Sequence, residues 1–193
     1  MNTELAGEMV EIVGQVRDSY IVMESQSAIY YADQHALAER IAFEKMRKQV
    51  KEQGLQPEIL LQPLTTRYPQ DQEIDEKIQQ LATMGFDIAD FGENKVIVYA
   101  VPKVFVTYKM DIDLLLQQVR GMEELSFDLI LDEILGMKAC KASIKAGQKL
   151  SKLEMKQLID DGMRYVEGMF VCQHGRPSVV KIEKKMIEGL FDR

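Results

Sequence analysis

The chain has 193 residues, of which 46% are hydrophobic and 28% are charged. This composition is typical of a folded globular protein and excludes a disordered chain. The longest apolar stretch, near residues 96–101, is too short for a transmembrane helix, and the N-terminal residues lack the basic and apolar regions of a secretory signal. Two cysteines do not make a disulfide framework, so we expect a reducing cytoplasm. The net charge of −7 argues against DNA binding through the overall field and leaves local basic patches open.

The first half of the chain predicts an α+β fold whose sheets consist mainly of hairpins. Three segments rich in β-branched and aromatic residues lie within residues 9–32, and a helix is predicted over residues 35–52. Residues 58–69 are expected to form an edge-like extended segment, because proline cannot donate to a sheet ladder. An amphipathic helix over 71–84 and a hairpin turning near 92–94 follow.

From about residue 112 onward the chain is predicted to be mostly helical. Ser151 and Glu154 have the spacing of a capping box and predict a helix that runs to about residue 163. Residues 177–182 predict a last short strand, and residues 183–191 predict a closing helix. Its apolar stripe, expected to pack within the monomer, consists of Ile182, Met186, Leu190 and Phe191.

A strand-to-helix junction carries the first group of candidate ligands. Asp33 follows an apolar strand, and His35 and Glu39 lie four residues apart, on one face of the next helix. The three side chains are therefore predicted to converge and to offer oxygen and imidazole ligands to a divalent metal. The alternative is an ordinary solvated His–Glu pair on a helix surface.

Glu44 belongs to the same helix but to a different face. Nine residues separate it from His35, which corresponds to about 180° around a helix. We therefore expect Glu44 to pair with Arg40 or Lys48 rather than to bind the same metal.

The remaining soft or borderline ligands are Cys140, Cys172 and His174. Taken singly, each has a structural explanation as a small core residue, a buried cysteine or a loop histidine. Together with the junction they offer enough ligands for one or two metals. Mixed cysteine, histidine and carboxylate ligation suits Zn²⁺, whereas the carboxylate-rich side suits Mn²⁺ or Mg²⁺.

A run of lysines is the candidate surface for DNA. Lys138, Lys141 and Lys145 have helical spacing and would form one face, able to contact phosphates without reading bases. A solvated lysine face is the alternative.

Four segments of the sequence resemble one known family. Residues 33–44, DQHALAERIAFE, match DQHA-x2-E-x4-E, the endonuclease motif of MutL-type DNA mismatch repair proteins. Residues 139–146, ACKASIKA, are similar to the family's second motif, and residues 172–177, CQHGRP, are similar to CPHGRP with Gln173 in place of proline. The terminal FDR is similar to the family's F-x-R tail. The chain thus resembles the C-terminal endonuclease and dimerisation domain of a bacterial MutL.

The resemblance implies a homodimer of two-lobed chains and a metal-dependent activity that nicks one strand of duplex DNA. It also implies that part of the closing apolar stripe serves the dimer, as the alternative to packing within the monomer. A dimerisation lobe would combine residues 1–47 and 140–193, and the inserted residues 48–139 would form a regulatory lobe. Zn²⁺ would be structural or regulatory, and Mn²⁺ or Mg²⁺ catalytic. The alternative is a non-catalytic dimerisation module with a structural or regulatory zinc site.

The family's site residues carry over onto this sequence in three groups. The catalytic residues would be Asp33, His35 and Glu39. The metal ligands would be these three together with Cys140, Cys172 and His174. Supporting residues would be Gln34, Arg40, Glu44, Arg176 and Arg193.

The resemblance also implies partners. Besides duplex DNA they are a sliding clamp, the N-terminal ATPase domain of the same full-length protein and a mismatch-recognition protein, in the cytoplasm and near the nucleoid, with no membrane. The clamp segment resembles Q-x-h-h-x-P with Glu in place of the leading Gln, and its residues would be Glu58, Leu60, Leu61 and Pro63. An ordinary apolar edge strand, able to pair with a peptide, is the alternative.

Overall fold

The structure, a computed structural model, describes residues 2–5, 7–68, 74–122, 125–130, 144, 147–166 and 177–192. It contains helices and two antiparallel sheets, which confirms the predicted α+β class. Contacts between Cα atoms divide the chain into a first unit, residues 1–44 with 143–193, and a second unit, residues 45–142. The roles expected for the two lobes, dimerisation and regulation, stay predictions. No helix in the described part of the chain is both long and apolar enough to cross a membrane.

The strands are β1 Asn2–Leu5, β2 Glu8–Val16, β3 Tyr20–Glu24, β4 Ala28–Asp33, β5 Pro57–Arg67, β6 Asp87–Gly92, β7 Lys95–Pro102 and β8 Val179–Glu183. The helices are α1 Gln34–Gln53, α2 Ile74–Thr83, α3 Lys103–Thr107, α4 Ile112–Val119, α5 Lys152–Tyr165 and α6 Lys184–Gly189. Residues 127–130 are also helical.

The first unit is built on a five-stranded sheet in the order β1-β2-β3-β4-β8. Side chains alternate between the faces of a strand, so Tyr30 and Ala32 of β4 point into the core and Tyr31 points away from it. The core face packs against apolar residues of α1 and α5, among them Leu37, Ile41, Met155, Leu158 and Ile159. The predicted capping box of α5 is confirmed, because Ser151 Oγ accepts from the Glu154 N–H and Glu154 Oε2 accepts from the Ser151 N–H.

The second unit contains a three-stranded sheet in the order β5-β7-β6. The predicted hairpin is confirmed, and its turn uses positive φ at Gly92, Glu93 and Asn94. Phe86 and Phe105 are buried with their ring centroids 5.6 Å apart. As expected, β5 is an edge strand of this sheet.

Two elements and one surface differ from the predictions. The sequence patterns missed β1, which pairs with β2, and the short helix α3, which begins directly after Pro102. The prediction that Ile182 belongs to the apolar stripe of the closing helix is wrong, because Ile182 lies in strand β8, opposite Ile29 of β4. The other three residues of that stripe are exposed rather than packed within the unit: Met186, Leu190 and Phe191.

Candidate functional site

The junction between β4 and α1 fixes the position of Asp33. Its Oδ1 atom accepts hydrogen bonds from the backbone N–H groups of His35 and Ala36, each at 3.0 Å. A side chain that satisfies these otherwise unpaired N–H groups is a helix cap. The predicted ligand therefore also starts the helix that carries the next two, through one of its two carboxylate oxygens.

His35 and Glu39 meet one turn into the helix. The His35 Nε2 atom lies 3.3 Å from Glu39 Oε1, and both side chains are mostly buried. On its other side, His35 Nδ1 lies 2.8 Å from the carbonyl oxygen of Ile144. A carbonyl can only accept, so Nδ1 carries the hydrogen of this bond.

This arrangement leaves Nε2 facing a carboxylate oxygen of Glu39 at 3.3 Å. In neutral histidine with hydrogen on Nδ1, Nε2 is an acceptor, and two acceptors facing each other need a proton or a cation between them. A histidine that donates one ring N–H to a backbone carbonyl and presents the other nitrogen is the usual arrangement of a metal-binding imidazole. The chemistry and orientation of this pair therefore fit a divalent metal.

Gln34, the residue between Asp33 and His35 in the sequence, is fully buried. Its Nε2 atom donates to the backbone oxygens of Asp18 and Gln148, at 2.8 and 2.9 Å. Its side chain thus holds the start of α1 to two other segments of the first unit.

Arg40 and Glu44 form a separate ion pair on α1. Arg40 Nη2 lies 2.7 Å from Glu44 Oε1, which confirms the expected pairing of Glu44. Arg40 also lies over the ring of Phe43, 5.6 Å from its centroid. Its Nε and Nη1 atoms are buried and have no hydrogen-bond partner among the described residues.

Comparison with known proteins places this site in context. Residues 13–150 match the family described as the MutL C-terminal dimerisation domain. The chain belongs to the MutL family. It is 35% identical over 191 residues to the "DNA mismatch repair protein MutL" of Clostridium tetani (strain Massachusetts / E88), covering 95% of this chain and 30% of the relative. Proteins of the same name from Staphylococcus aureus strains Newman and JH1 are 34% identical over 192 residues, covering 95% of this chain and 28% of each relative. The chain therefore spans less than a third of the length of these curated relatives.

Part of the predicted site of this MutL domain lies outside the described residues. Among the residues that are described, no three His, Cys, Asp or Glu side chains form a group able to hold a metal. Of the predicted ligands, the structure brings His35 and Glu39 together. The predicted convergence of Asp33 with them is not seen, because the Asp33 Oδ1 atom is engaged in capping α1. The predicted residues outside the described part are Lys138, Cys140, Lys141, Lys145, Cys172, His174, Arg176 and Arg193.

The predicted clamp segment of this MutL domain lies on β5, at an interruption of its pairing with β7. Ile59 pairs with Ala100 and Leu64 with Val98, so four residues of β5 leave the regular ladder. They include Leu60, which is half-buried, and Leu61 and Pro63, which are exposed; Glu58 still pairs with Val101. A projecting apolar side chain on an edge strand is available to a partner.

Two functional groups of the site escaped the sequence patterns. The Ile144 carbonyl is a backbone group, and every residue type has one, so the sequence does not indicate that this one contacts His35. Gln15 lies on β2 in no motif, yet its Nε2 atom donates to Gln34 Oε1 and to the Gln148 oxygen. Only the fold brings these groups to the start of α1.

Proposed function

We propose that this chain is a metal-dependent endonuclease domain of a mismatch repair MutL, which hydrolyses a phosphodiester in one strand of duplex DNA and homodimerises. The observation that carries the proposal is the His35–Glu39 pair, with its Nδ1–H directed to Ile144 O and its two acceptors facing each other. Family membership supports the repair context.

The residues that would hold the catalytic Mn²⁺ or Mg²⁺ are Asp33, His35 and Glu39. Cys140, Cys172 and His174 would favour Zn²⁺ in a structural or regulatory role, because sulfur and imidazole are softer ligands. A bound metal would lower the pKa of a water molecule and stabilise the charge that develops on the phosphate during hydrolysis.

The chain's own residues position these ligands. Asp33 caps α1, which fixes the backbone that carries His35, and the Ile144 carbonyl sets the orientation of the imidazole. Lys138, Lys141 and Lys145 would contact DNA phosphates on an otherwise acidic chain. Arg176 and Arg193 would support the site.

A nicking assay tests the proposal. Supercoiled plasmid is incubated in Mn²⁺ with the wild-type chain, with Glu39→Gln and with Glu52→Gln. Glu52 is the matched control, because it is an exposed glutamate of α1 that pairs with the exposed Lys48 at 3.8 Å. Nicking by the wild type and by Glu52→Gln, with loss in Glu39→Gln, supports the enzyme. Equal nicking by all three contradicts the site.

Calorimetric titration with Mn²⁺ and Zn²⁺ decides the case in which the isolated domain does not nick. Binding of Mn²⁺ that is lost in Glu39→Gln supports a nuclease that requires its ATPase half. Binding of Zn²⁺ alone, unaffected by Glu39→Gln, favours the alternative, a dimerisation module with a structural or regulatory zinc site.

The homodimer is proposed to form through the outer face of the five-stranded sheet. Tyr31 lies between Val22 on β3 and Val180 on β8 in the register, and Tyr31 and Val180 are exposed. An exposed apolar row in a family described as a dimerisation domain fits a second copy of the chain.

Analytical sedimentation, which distinguishes dimer from monomer, tests the proposed dimer face. Tyr31→Glu is expected to convert a micromolar dimer into monomer. Leu153→Glu, which changes an exposed leucine of α5 in the same unit, is expected to leave the dimer intact. The reverse result, or a wild-type monomer, would contradict the assigned face.

Clamp binding by β5 is a second candidate function, favoured by the exposed Leu61 and Ile59 at the interrupted pairing. Leu61→Ser should abolish binding to a sliding clamp while leaving thermal stability unchanged, since the side chain makes no buried contact. Glu58→Gln, which restores the leading Gln of the motif, should strengthen binding. If Leu61→Ser binds like the wild type, β5 is not the clamp segment.

The N-terminal ATPase domain of the full-length protein, a mismatch-recognition protein and a cytoplasmic, nucleoid-associated location belong to the same proposal. They follow from the mismatch repair context of the relatives rather than from a surface of this chain.

A further inference from the structure

Two glutamine side chains and one backbone carbonyl form a closed hydrogen-bonded cluster in the first unit. Gln15 Nε2 donates to Gln34 Oε1 at 2.5 Å and to the Gln148 oxygen at 2.8 Å. Gln34 Nε2 donates to that same oxygen at 2.9 Å. The backbone N–H of Leu150 donates to Gln15 Oε1 at 3.0 Å.

The chemistry of this cluster requires an amide at position 15. Gln34 already uses both hydrogens of its amide, on the oxygens of Asp18 and Gln148, so only its Oε1 atom faces Gln15. Gln15 must therefore donate to two oxygens and also accept from Leu150. Only an amide has two N–H donors and an acceptor at the required places. A carboxylate there would face two acceptor oxygens.

The cluster is bonded to Gln148 and Leu150, which follow in the chain the Ile144 residue that contacts His35. Gln34 and His35 are adjacent on α1, and they hold oxygens of Gln148 and Ile144, which are four residues apart. Gln15 supports both partners of the His35–Ile144 contact, because it holds Gln34, which precedes His35 on α1, and it holds Gln148 and Leu150, which follow Ile144 in the chain.

We propose that Gln15 is a positioning residue for His35. By holding Gln148 and Leu150, it keeps the Ile144 carbonyl against Nδ1, and thereby keeps hydrogen on Nδ1 and the Nε2 lone pair toward Glu39. The consequence for metal binding rests on the proposed function. Loss of an outer-shell partner of a metal-binding histidine lowers metal affinity by about 10–100-fold.

The test compares the wild-type chain with Gln15→Glu, which keeps the shape of the side chain and the acceptor for Leu150. Gln157→Glu is the matched control, because Gln157 is an exposed glutamine of α5 that donates to Asp161, away from the cluster. Gln15→Met, which loses the donors without adding charge, serves as a second variant should Gln15→Glu unfold. Circular dichroism checks the fold of each variant.

The first measurement uses long-range ¹H–¹⁵N spectra of the metal-free chain at mildly alkaline pH, with His35→Ala to assign the signals. The wild type and Gln157→Glu are expected to show the Nδ1–H tautomer of His35, and Gln15→Glu a mixture of tautomers. This measurement does not depend on any metal. Identical tautomers in the wild type and in both Gln15 variants would overturn the proposal.

The second measurement is the calorimetric Kd for Mn²⁺ and Zn²⁺. Gln15→Glu is expected to bind at least one of them about tenfold more weakly than the wild type, and Gln157→Glu equally well. A changed tautomer with an unchanged Kd would also overturn the proposal, since positioning would then have no effect on the site. A wild-type chain that binds neither metal would refute the proposed function and, with it, this role of Gln15. Wild-type binding that is unaffected at Gln15 would refute the positioning role alone.

Discussion

Replacing Glu44 by alanine should destabilise the chain without changing metal affinity. Glu44 Oε1 accepts from Arg40 Nη2 at 2.7 Å, and the two side chains are only 20% and 13% exposed. Within the part of the chain that the structure describes, the buried Arg40 Nε and Nη1 atoms already have no hydrogen-bond partner. Removing the carboxylate therefore leaves a buried guanidinium charge without its anionic partner.

The magnitude follows from the burial of the pair. Breaking a fully buried ion pair costs about 3–5 kcal/mol, whereas a fully exposed pair contributes about 0–1 kcal/mol. With both side chains mostly but not fully buried, Glu44→Ala should lower the free energy of unfolding by about 2–3 kcal/mol. Glu44→Gln should cost about half of that, because its amide oxygen still accepts from Nη2.

Arg40→Met provides the matched comparison. It removes the buried charge together with the Nε and Nη1 donors, and it also loses a cation–π contact with Phe43 that contributes about 0.5–1 kcal/mol. We expect a cost of about 1 kcal/mol, and the double variant with Glu44→Ala should be no less stable than Arg40→Met alone. Urea unfolding followed by circular dichroism measures each member of this cycle.

The same variants separate the two glutamates of the motif. Calorimetry should give Glu44→Ala the Mn²⁺ affinity of the wild type, and Glu39→Gln a much weaker one at nearly unchanged stability. If Glu44→Ala costs less than about 0.5 kcal/mol, or weakens metal binding as much as Glu39→Gln does, the reasoning from the buried pair is refuted.

Two further predictions concern the first unit. Hydrogen bonds from Ser25, Ser27 and Tyr30, together with Lys181, lower the pKa of the Glu8 carboxyl from 4.5 to about 2. Its contribution to stability is therefore fully present above pH 4.5 and is lost as the pH falls toward 2, so the stability difference between the wild type and Glu8→Gln, measured by urea unfolding across this range, should shrink with it. Equal differences at pH 7 and pH 2 would contradict this. Ser151→Ala should lower the stability of the chain by about 1 kcal/mol in urea unfolding, because α5 loses its N-cap, and Ser151→Asn should restore most of it.

The elements predicted from sequence are those whose signals are local. Strands β2, β3 and β4 have dense β-branched and aromatic residues, and the capping box of α5 consists of two residues in one turn. Strand β1 was missed because NTEL has no strand pattern of its own; its pairing with β2 and the burial of Leu5 define it. Ile182 was assigned to the helical stripe because a single apolar residue between a strand and a helix fits both the strand period of two residues and the helix period of 3.6 residues.

In the candidate site, too, the local features could be predicted from the sequence and the contacts between distant parts of the chain could not. Helical spacing predicted that His35 and Glu39 share a face, and the same spacing separated Glu44 from them. The hydrogen bonds that orient His35 join it to Ile144, and those of Gln34 join it to Gln148, more than a hundred residues along the chain. Such contacts depend on how the chain returns to α1, which no local pattern encodes.

Asp33 has two roles that a pair of substitutions can separate. Its Oδ1 atom caps α1 through His35 N and Ala36 N, and the proposed function also makes it a metal ligand. Asparagine caps a helix as well as aspartate, so Asp33→Asn should keep stability within about 0.5 kcal/mol, whereas Asp33→Ala should lose about 1–2 kcal/mol. As a ligand, the carboxylate is irreplaceable by a neutral amide, so both variants should bind Mn²⁺ at least about tenfold more weakly. Thermal unfolding and calorimetry measure the two effects. If Asp33→Asn keeps wild-type affinity for Mn²⁺, Asp33 acts only as a cap, and the metal must be held by His35, Glu39 and other ligands.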